Sequence, residues 1–317
     1  MKRYLLRRLI GLLPTLLLIS IAVFSITRVL PGDPAAMLAA SDEGVIDPQL
    51  RAFITEKYGL DDPLVTQYWR WMWGVVRGEW GDSFFSGVGV FEQIRTRAGF
   101  TLQLAILSWL TALLIGIPLG VASALRRNSI GDMAATSFAV AGIALPNFWL
   151  GMLMIILFAV MLGWLPTGGY TPISESPVLW AKGMVMPTIA LGTALSAGIM
   201  RLTRSALLEV LMQDYVRTAR AKGLGEPRVI WLHALRNALL PVVTLSTLQL
   251  GGLIGGTVVT ETVFFLPGVG RFVVDAVIQK DYLIVQMGLM FLTLGVVIAN
   301  LVADVAYTVL DPRIRYE

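Results

Sequence analysis

The chain has 317 residues, 56% of them apolar and only 15% charged, against roughly a quarter charged in an ordinary soluble domain. Charge-free stretches of about twenty residues recur along it, which excludes a soluble enzyme and marks a membrane protein. With no cysteine and one histidine, His233, disulfides, thiol nucleophiles, thiolate metal sites and multi-histidine metal sites are excluded as well.

Six segments predict membrane-spanning helices. The first, Leu9 to Leu30, holds one charge, Arg28; its apolar run is too long for a signal peptide and has no small-residue cleavage site, so it is expected to stay uncleaved. The second, Thr101 to Leu125, carries Gly116 and Gly120 at G-x-x-x-G spacing. The third runs from Met133 past Trp164, with Pro146 and Asn147 predicting a kink or tilt. The fourth, Met184 to Met200, is short; the fifth runs from Asn237 to about Thr260 and the sixth from Leu283 to Leu310. With the N-terminus inside, 15 of the 25 lysines and arginines fall on inner segments, so both termini are expected inside. Topology accounts for these basic residues, and no nucleic-acid partner is expected.

The chain thus divides into an N-terminal span (1–30), an extracytoplasmic segment with short helices (31–100), a transmembrane core (101–310) and a cytoplasmic tail (311–317). In the extracytoplasmic segment, Asp47-Pro48 predicts a capped helix start and Gly59 its stop, and Asp62-Pro63 repeats the start. The aromatic run Tyr68, Trp69, Trp71, Trp73 reads either as an amphipathic helix in the headgroup layer or as a docking surface or lid.

The inner loop Arg201 to Arg236 is the most patterned stretch. Gln213 to Gly223 predicts a helix stopped by Gly223 or Gly225, with a second helix starting around Pro227. Tyr215, Ala219 and Gly223, four apart, form a narrow small-residue stripe that another protein could approach closely, while Arg217 and Arg220 point elsewhere. Spacing leaves two readings open: a rigid lever carrying a partner's movement into the bundle, or a basic loop that serves topology.

This segment, Asp214-Tyr215-Val216-Arg217-Thr218-Ala219-Arg220-Ala221-Lys222-Gly223-Leu224, with His233-Ala234-Leu235-Arg236-Asn237-Ala238-Leu239-Leu240-Pro241, resembles the coupling motif of permease subunits of ABC importers. The resemblance is to the dipeptide, oligopeptide and nickel branch. It extends over Leu30-Pro31-Gly32-Asp33-Pro34, Gly59-Leu60-Asp61-Asp62-Pro63, Gly78-Glu79-Trp80-Gly81-Asp82-Ser83, Leu165-Pro166, Thr260-Glu261-Thr262-Val263-Phe264, Leu266-Pro267-Gly268-Val269-Gly270-Arg271 and Asp311-Pro312-Arg313-Ile314-Arg315. The long outer segment resembles that of the first of the two permease subunits such importers pair. Arg217 stands where a glutamate is typical, and Pro241 comes later after the glycine than usual.

The resemblance implies a type I importer permease fold in a bacterial inner membrane. It also implies alternating access for di- or oligopeptides, or instead for nickel, glutathione or another small solute. The implied partners are a second permease subunit, two ATP-binding subunits and an extracytoplasmic solute-binding protein, with coupling helices at 205–236. Asp214, Tyr215, Arg217, Ala219, Arg220, Ala221, Gly223, Leu224 and Gly225 are the implied ATPase-coupling residues. The chain itself is expected to be non-catalytic and to bind no cofactor. It has no Gly-Lys dipeptide and hence no phosphate-cradling loop, so ATP and magnesium belong to partner subunits.

Other residues carry weaker expectations. Gly251, Gly252, Gly255 and Gly256 give two overlapping G-x-x-x-G pairs, for packing within the subunit or for contact with a sister permease or the pathway. Asp304, near the inner boundary, is expected to pair with an arginine or touch water, an unpaired carboxylate at membrane depth being costly. Glu261 and Asp275 read as outer charges that meet a binding protein or a peptide's amino group, or as solvated loop charges. His233 reads as a packing or capping residue. A lone secondary transporter would need ionisable residues near the midplane or an inverted repeat, and neither is present. A membrane enzyme would need a catalytic constellation, and Ser108 and Ser196 have no recognisable base.

Overall fold

The computed structural model describes residues 2–29, 47–83 and 85–310. The motifs at Leu30-Pro34 and Asp311-Arg315, and the tail 311–317, lie outside the described residues. The fold among them is all-helical. Helix α1 is Lys2–Val29, α2 Pro48–Tyr58, α3 Leu64–Arg77, α4 Val90–Leu125, α5 Ile130–Ala144, and α6 Asn147–Met161 with its last two turns in π geometry. Helix α7 is Pro177–Leu211, α8 Asp214–Ala221, α9 Glu226–Val263, α10 Val269–Gln279 and α11 Tyr282–Leu310.

The helices of the core outrun the spans that their sequence marks. α4 begins eleven residues before Thr101, and α7, at 35 residues, is twice the expected fourth span. At 1.5 Å per residue both exceed the roughly 30 Å hydrocarbon layer by about 20 Å. Their excess turns are more polar, which is why a hydropathy reading stops short. The third span is also not merely kinked. Pro146 cannot donate to Gly142 and pushes Leu145 into an extended conformation (ψ 127°), so α5 and α6 meet at a bend of 107°.

Contacts at both ends show how far each element travels. The start of α5 is tied to α7 by Asp132 and Arg204 at the end of the bundle that carries α8. The segment after α6 is tied to the far end of α9, where Gly169 N–H donates to the Phe264 carbonyl at 3.0 Å. The bent pair therefore passes from one end of the bundle to the other as a single broken span. Helix α1 runs alongside this bundle: Arg8 pairs with Asp304 of α11 at 2.9 Å, while Ser20 and Phe24 meet Tyr68 of α3. Among the described residues α4, α7, α9 and α11 are each long and apolar enough to cross and the bent pair makes a fifth passage, while α1, expected as the first of six, carries a shorter apolar stretch, Ile10–Ile26.

Small residues set the centre of the bundle. α4 and α7 share the most extensive contact. A Cβ added at Gly116 would come within 2.7 Å of the Ser196 carbonyl, and one at Gly120 within 2.6 Å of Thr203 Cβ. Gly192 answers from α7, where a Cβ would lie 2.8 Å from the Ser108 carbonyl. Between apolar helices in lipid such close backbone approach supplies the association that hydrophobic burial cannot.

At the α3 end, Asp47 caps α2 by accepting from Gln49 N and Leu50 N, and Gly59 closes it at φ 59°. Asp62 does not repeat that cap. Pro63 occupies the position before α3, and Asp62 instead pairs with Arg70, nearly two turns into the helix, at 2.7 Å. One face of α3 puts Tyr68 and Trp71 against Phe24, while Val65, Trp69, Trp73 and Val76 are exposed on the other.

Glu261 is neither an outer contact nor a solvated charge. It is fully buried at the end of α9, accepting from Thr101 Oγ1 of α4 at 2.8 Å and from Arg271 N of α10 at 3.0 Å. Thr101 Oγ1 in turn accepts from Val269 N at 2.9 Å. The carboxylate thus joins three helices and satisfies orphan donors at the start of α10. It also explains the glycines of Leu266-Pro267-Gly268-Val269-Gly270-Arg271: a Cβ on Gly268 would overlap the carboxyl group, and one on Gly270 would lie 2.6 Å from Val258 Cα. Asp275 is partly exposed and pairs with Arg271 at 3.6 Å. Nearby, Ser83 donates to Asp281 at 2.6 Å, fixing the turn before α4 to the start of α11.

Candidate functional site

The segment between α7 and α9 is almost entirely helical. α7 runs on to Leu211, Met212 and Gln213 form the turn, and α8 follows with Asp214 in its first turn and Arg220 in its last, each placed to suit the helix dipole. Gly223 ends α8 in the left-handed region at φ 79°, where its N–H reaches the Arg220 carbonyl at 2.9 Å. The chain then re-enters a helix at Glu226, and this second helix is not separate. It continues through a π-helical stretch, Val229–Ala234, into the span that ends at Val263, giving 38 residues rather than a start at Asn237.

The expected small-residue stripe does not lie on the free face of α8. Val216 and Ala219 are buried, clustered with Val229 and packed by Val210, Leu211 and Leu224. An eight-residue helix can be held on this corner only by turning its apolar pair inward. Tyr215 sits at the edge, 43% exposed, its hydroxyl accepting from Asn237 Nδ2 at 2.8 Å. Arg220 bridges the turn to Glu226, its Nε donating to Oε1 at 2.7 Å. The outward side presents Met212, Asp214, Arg217, Ala221 and Lys222, with Arg217 loosely paired to Asp214 at 3.4 Å. Gly223 and Gly225 are exposed, whereas Leu224 is half-buried beneath α8. Trp231 and Leu232 form an exposed apolar pair on the first turns of α9 that the motif does not include.

A cluster that sequence inspection missed holds this corner to the bundle. Asp132 accepts from Arg204 at 2.8 and 2.9 Å in a two-pronged pair, from Asn128 N at 2.9 Å and from Ser123 Oγ. These groups come from α4, the α4–α5 turn, α5 and α7. The legible signal was Ser129-x-x-Asp132, a capping pattern in which Ser129 accepts from Asp132 N. Nothing in the sequence joins it to Arg204, which reads as one more inner arginine. The four glycines of α9 divide by environment: Gly251 packs on Asn300 of α11 and Gly256 near Leu191 of α7, while Gly252 and Gly255 face open space. His233 is half-buried, and its carbonyl accepts from Asn237 at 3.3 Å. No group of three metal-ligating side chains occurs among the described residues.

The site is thus a short helix clamped between two long spans of a polar-tipped bundle. Residues 116–316 match the family model described as binding-protein-dependent transport system inner membrane component, and residues 1–105 match that of its N-terminal region. The chain belongs to this family. It is similar to the glutathione transport system permease protein GsiC of Salmonella paratyphi A (strain ATCC 9150 / SARB42), with 43% identity over 317 residues covering the whole of both chains. The same protein from Escherichia coli (strain K12) is 41% identical over the same extent. Among solved structures, the MetNI methionine ABC transporter in an inward-facing crystal form superposes with a TM-score of 0.56 at 19% identity, covering 69% of this chain and 96% of that one. That likeness concerns the fold. The chain is thus a non-catalytic, multi-pass inner-membrane permease subunit of a bacterial ABC importer, with the type I importer permease fold, and ATP is used by partner subunits.

Proposed function

We propose that this permease moves a small peptide-like solute, glutathione foremost and short peptides next, and that α8 is its contact with the ATP-binding subunits. The observation that carries the solute is the 43% identity, end to end, with a permease named for glutathione transport. In this reading the α8 end is cytoplasmic, both termini lie on that side, and the α3 end faces the solute-binding protein. Met212, Asp214, Tyr215, Arg217, Ala221 and Lys222 supply the outward contact, Arg220 braces the turn, and Val216, Ala219 and Leu224 seat the helix. Because α8 is packed on the ends of α7 and α9, both continuous with spans, a displacement of α8 moves two membrane helices together. ATP binding on the partners shifts the state only if those partners bind α8 differently in the two arrangements.

The test is to co-purify the chain with its second permease subunit, two ATP-binding subunits and a solute-binding protein. ATP hydrolysis in lipid is then measured with glutathione, dipeptides, oligopeptides and nickel. Stimulation by glutathione or a short peptide is expected, and not by nickel. Solute transport by the lone chain would refute the reading.

A further inference from the structure

A cleft of about 570 Å³ opens at the α3 end of α4, lined by Thr96, Arg97, Phe100, Gln103, Tyr170 and Pro267 with Gly99 at its edge. Arg97 lies 28 residues before Leu125 on one continuous helix, about 42 Å along its axis. A bilayer core is roughly 30 Å thick, so Arg97 stands at or beyond the membrane boundary on the side opposite α8. Three separate segments wall the cleft: α4, the stretch after α6 that supplies Tyr170, and the Leu266-Pro267 turn held by Glu261.

The polar groups here are fixed. The Arg97 guanidinium lies over the Phe272 ring at 4.0 Å from its centroid, and its Nη1 donates to the Gln93 carbonyl at 2.8 Å. Tyr170 packs edge-on to Phe100 at 4.8 Å between centroids and donates to Gln103 Oε1 at 3.4 Å, which leaves the Gln103 NH2 as a donor. The neighbouring carboxylate, Asp275, is paired to Arg271 at 3.6 Å. The cleft wall therefore carries one cation, no carboxylate, and an amide donor above an aromatic and proline floor. With Nη1 donating to Gln93, a guanidinium held flat by a ring still keeps its Nε and Nη2 donors for a planar two-oxygen acceptor.

The geometry points to a receiving site for a solute carboxylate, centred on Arg97 and Gln103, at the outer mouth of the permease. This rests on the proposed function: glutathione and short peptides carry carboxylates at neutral pH, whereas a nickel ion would be repelled. It goes further by giving the permease, and not its binding protein alone, a part in choosing the solute.

The test compares dialanine with its C-terminal amide, and glutathione with its glycine amide, in uptake by the complete complex in lipid. The quantity read is the acid-to-amide ratio of uptake, which cancels any loss of folded complex. The selectivity of the binding protein enters both complexes equally. Arg97→Gln is expected to lower that ratio roughly tenfold or more, and Arg97→Lys to lower it less, since loss of a hydrogen bond to a charged group is of this size. An unchanged ratio in Arg97→Gln overturns the site. Binding of the loaded solute-binding protein to the complex is measured in parallel. If Arg97→Gln weakens that docking about tenfold while the ratio holds, the carboxylate belongs to the binding protein and the solute site is refuted. A wild-type complex that no carboxylate solute stimulates would overturn the functional reading instead, and the site with it.

Discussion

Replacing Gly268 with alanine is the most direct probe of the joint between α4, α9 and α10. Gly268 has φ −92°, a conformation alanine adopts freely, so any effect comes from space and not from backbone strain. The added methyl would overlap the Glu261 carboxyl group, which must then leave its position. Its bonds to Thr101 Oγ1 and Arg271 N, at 2.8 and 3.0 Å, go with it. Overpacking costs about 1–3 kcal/mol, and each buried hydrogen bond to a charged group contributes about 1.5–3 kcal/mol, so even the low end of each gives about 4 kcal/mol. The thermal midpoint of the purified complex, followed by tryptophan fluorescence, is expected to fall on the order of 8 °C. In a Glu261→Ala background the same methyl has room, so the two substitutions are expected to fall short of additivity by roughly 0.5–3 kcal/mol. A Gly268→Ala midpoint indistinguishable from wild type, or strict additivity with Glu261→Ala, would refute the placement of that carboxylate.

Gly116→Leu and Gly120→Leu are expected to abolish stable insertion, because α4 and α7 touch backbone to side chain there; a normal yield of folded subunit on size-exclusion chromatography would contradict this. On α9, Gly251→Leu is expected to disturb the subunit itself through Asn300. Gly252→Leu should leave the isolated subunit intact, and any loss it causes in subunit assembly or uptake would locate a partner or the pathway on that face. Gly223→Val should cut uptake with the subunit still inserted. The position is open but left-handed, and a non-glycine residue there costs about 1–2 kcal/mol, so Gly223→Asn is expected to retain more transport than Gly223→Val. Asp132→Asn should loosen the corner that carries α8, seen as faster tryptic cleavage at Arg217 or Arg220 in the assembled complex; unchanged cleavage would show that the Asp132–Arg204 pair does not restrain it.

Much of this protein is determined by local sequence alone. Long charge-free runs need a bilayer and dictate helices, because in hydrocarbon a backbone must satisfy its own hydrogen bonds. Asp47-Pro48, Gly59 and Gly223 set their helix boundaries through conformational preferences that act over a few residues. The spacing of Gly116 and Gly120 foretold a close helix contact without naming its partner. What the sequence left undecided depends on groups far apart in the chain. Glu261 looks like a loop charge until Thr101 and Arg271 close around it, and Ala219 looks like a docking surface until Val229 covers it. Arg204 counts only toward topology until Asp132 folds against it, and the cleft at Arg97 exists only where three segments meet. Hydropathy also stops where side chains turn polar, although the helices of α4 and α7 continue. Periodicity and propensity are written residue by residue, whereas the pairing of charges and the covering of faces are properties of the packed bundle, and these separate a scaffold residue from one left free to meet a partner.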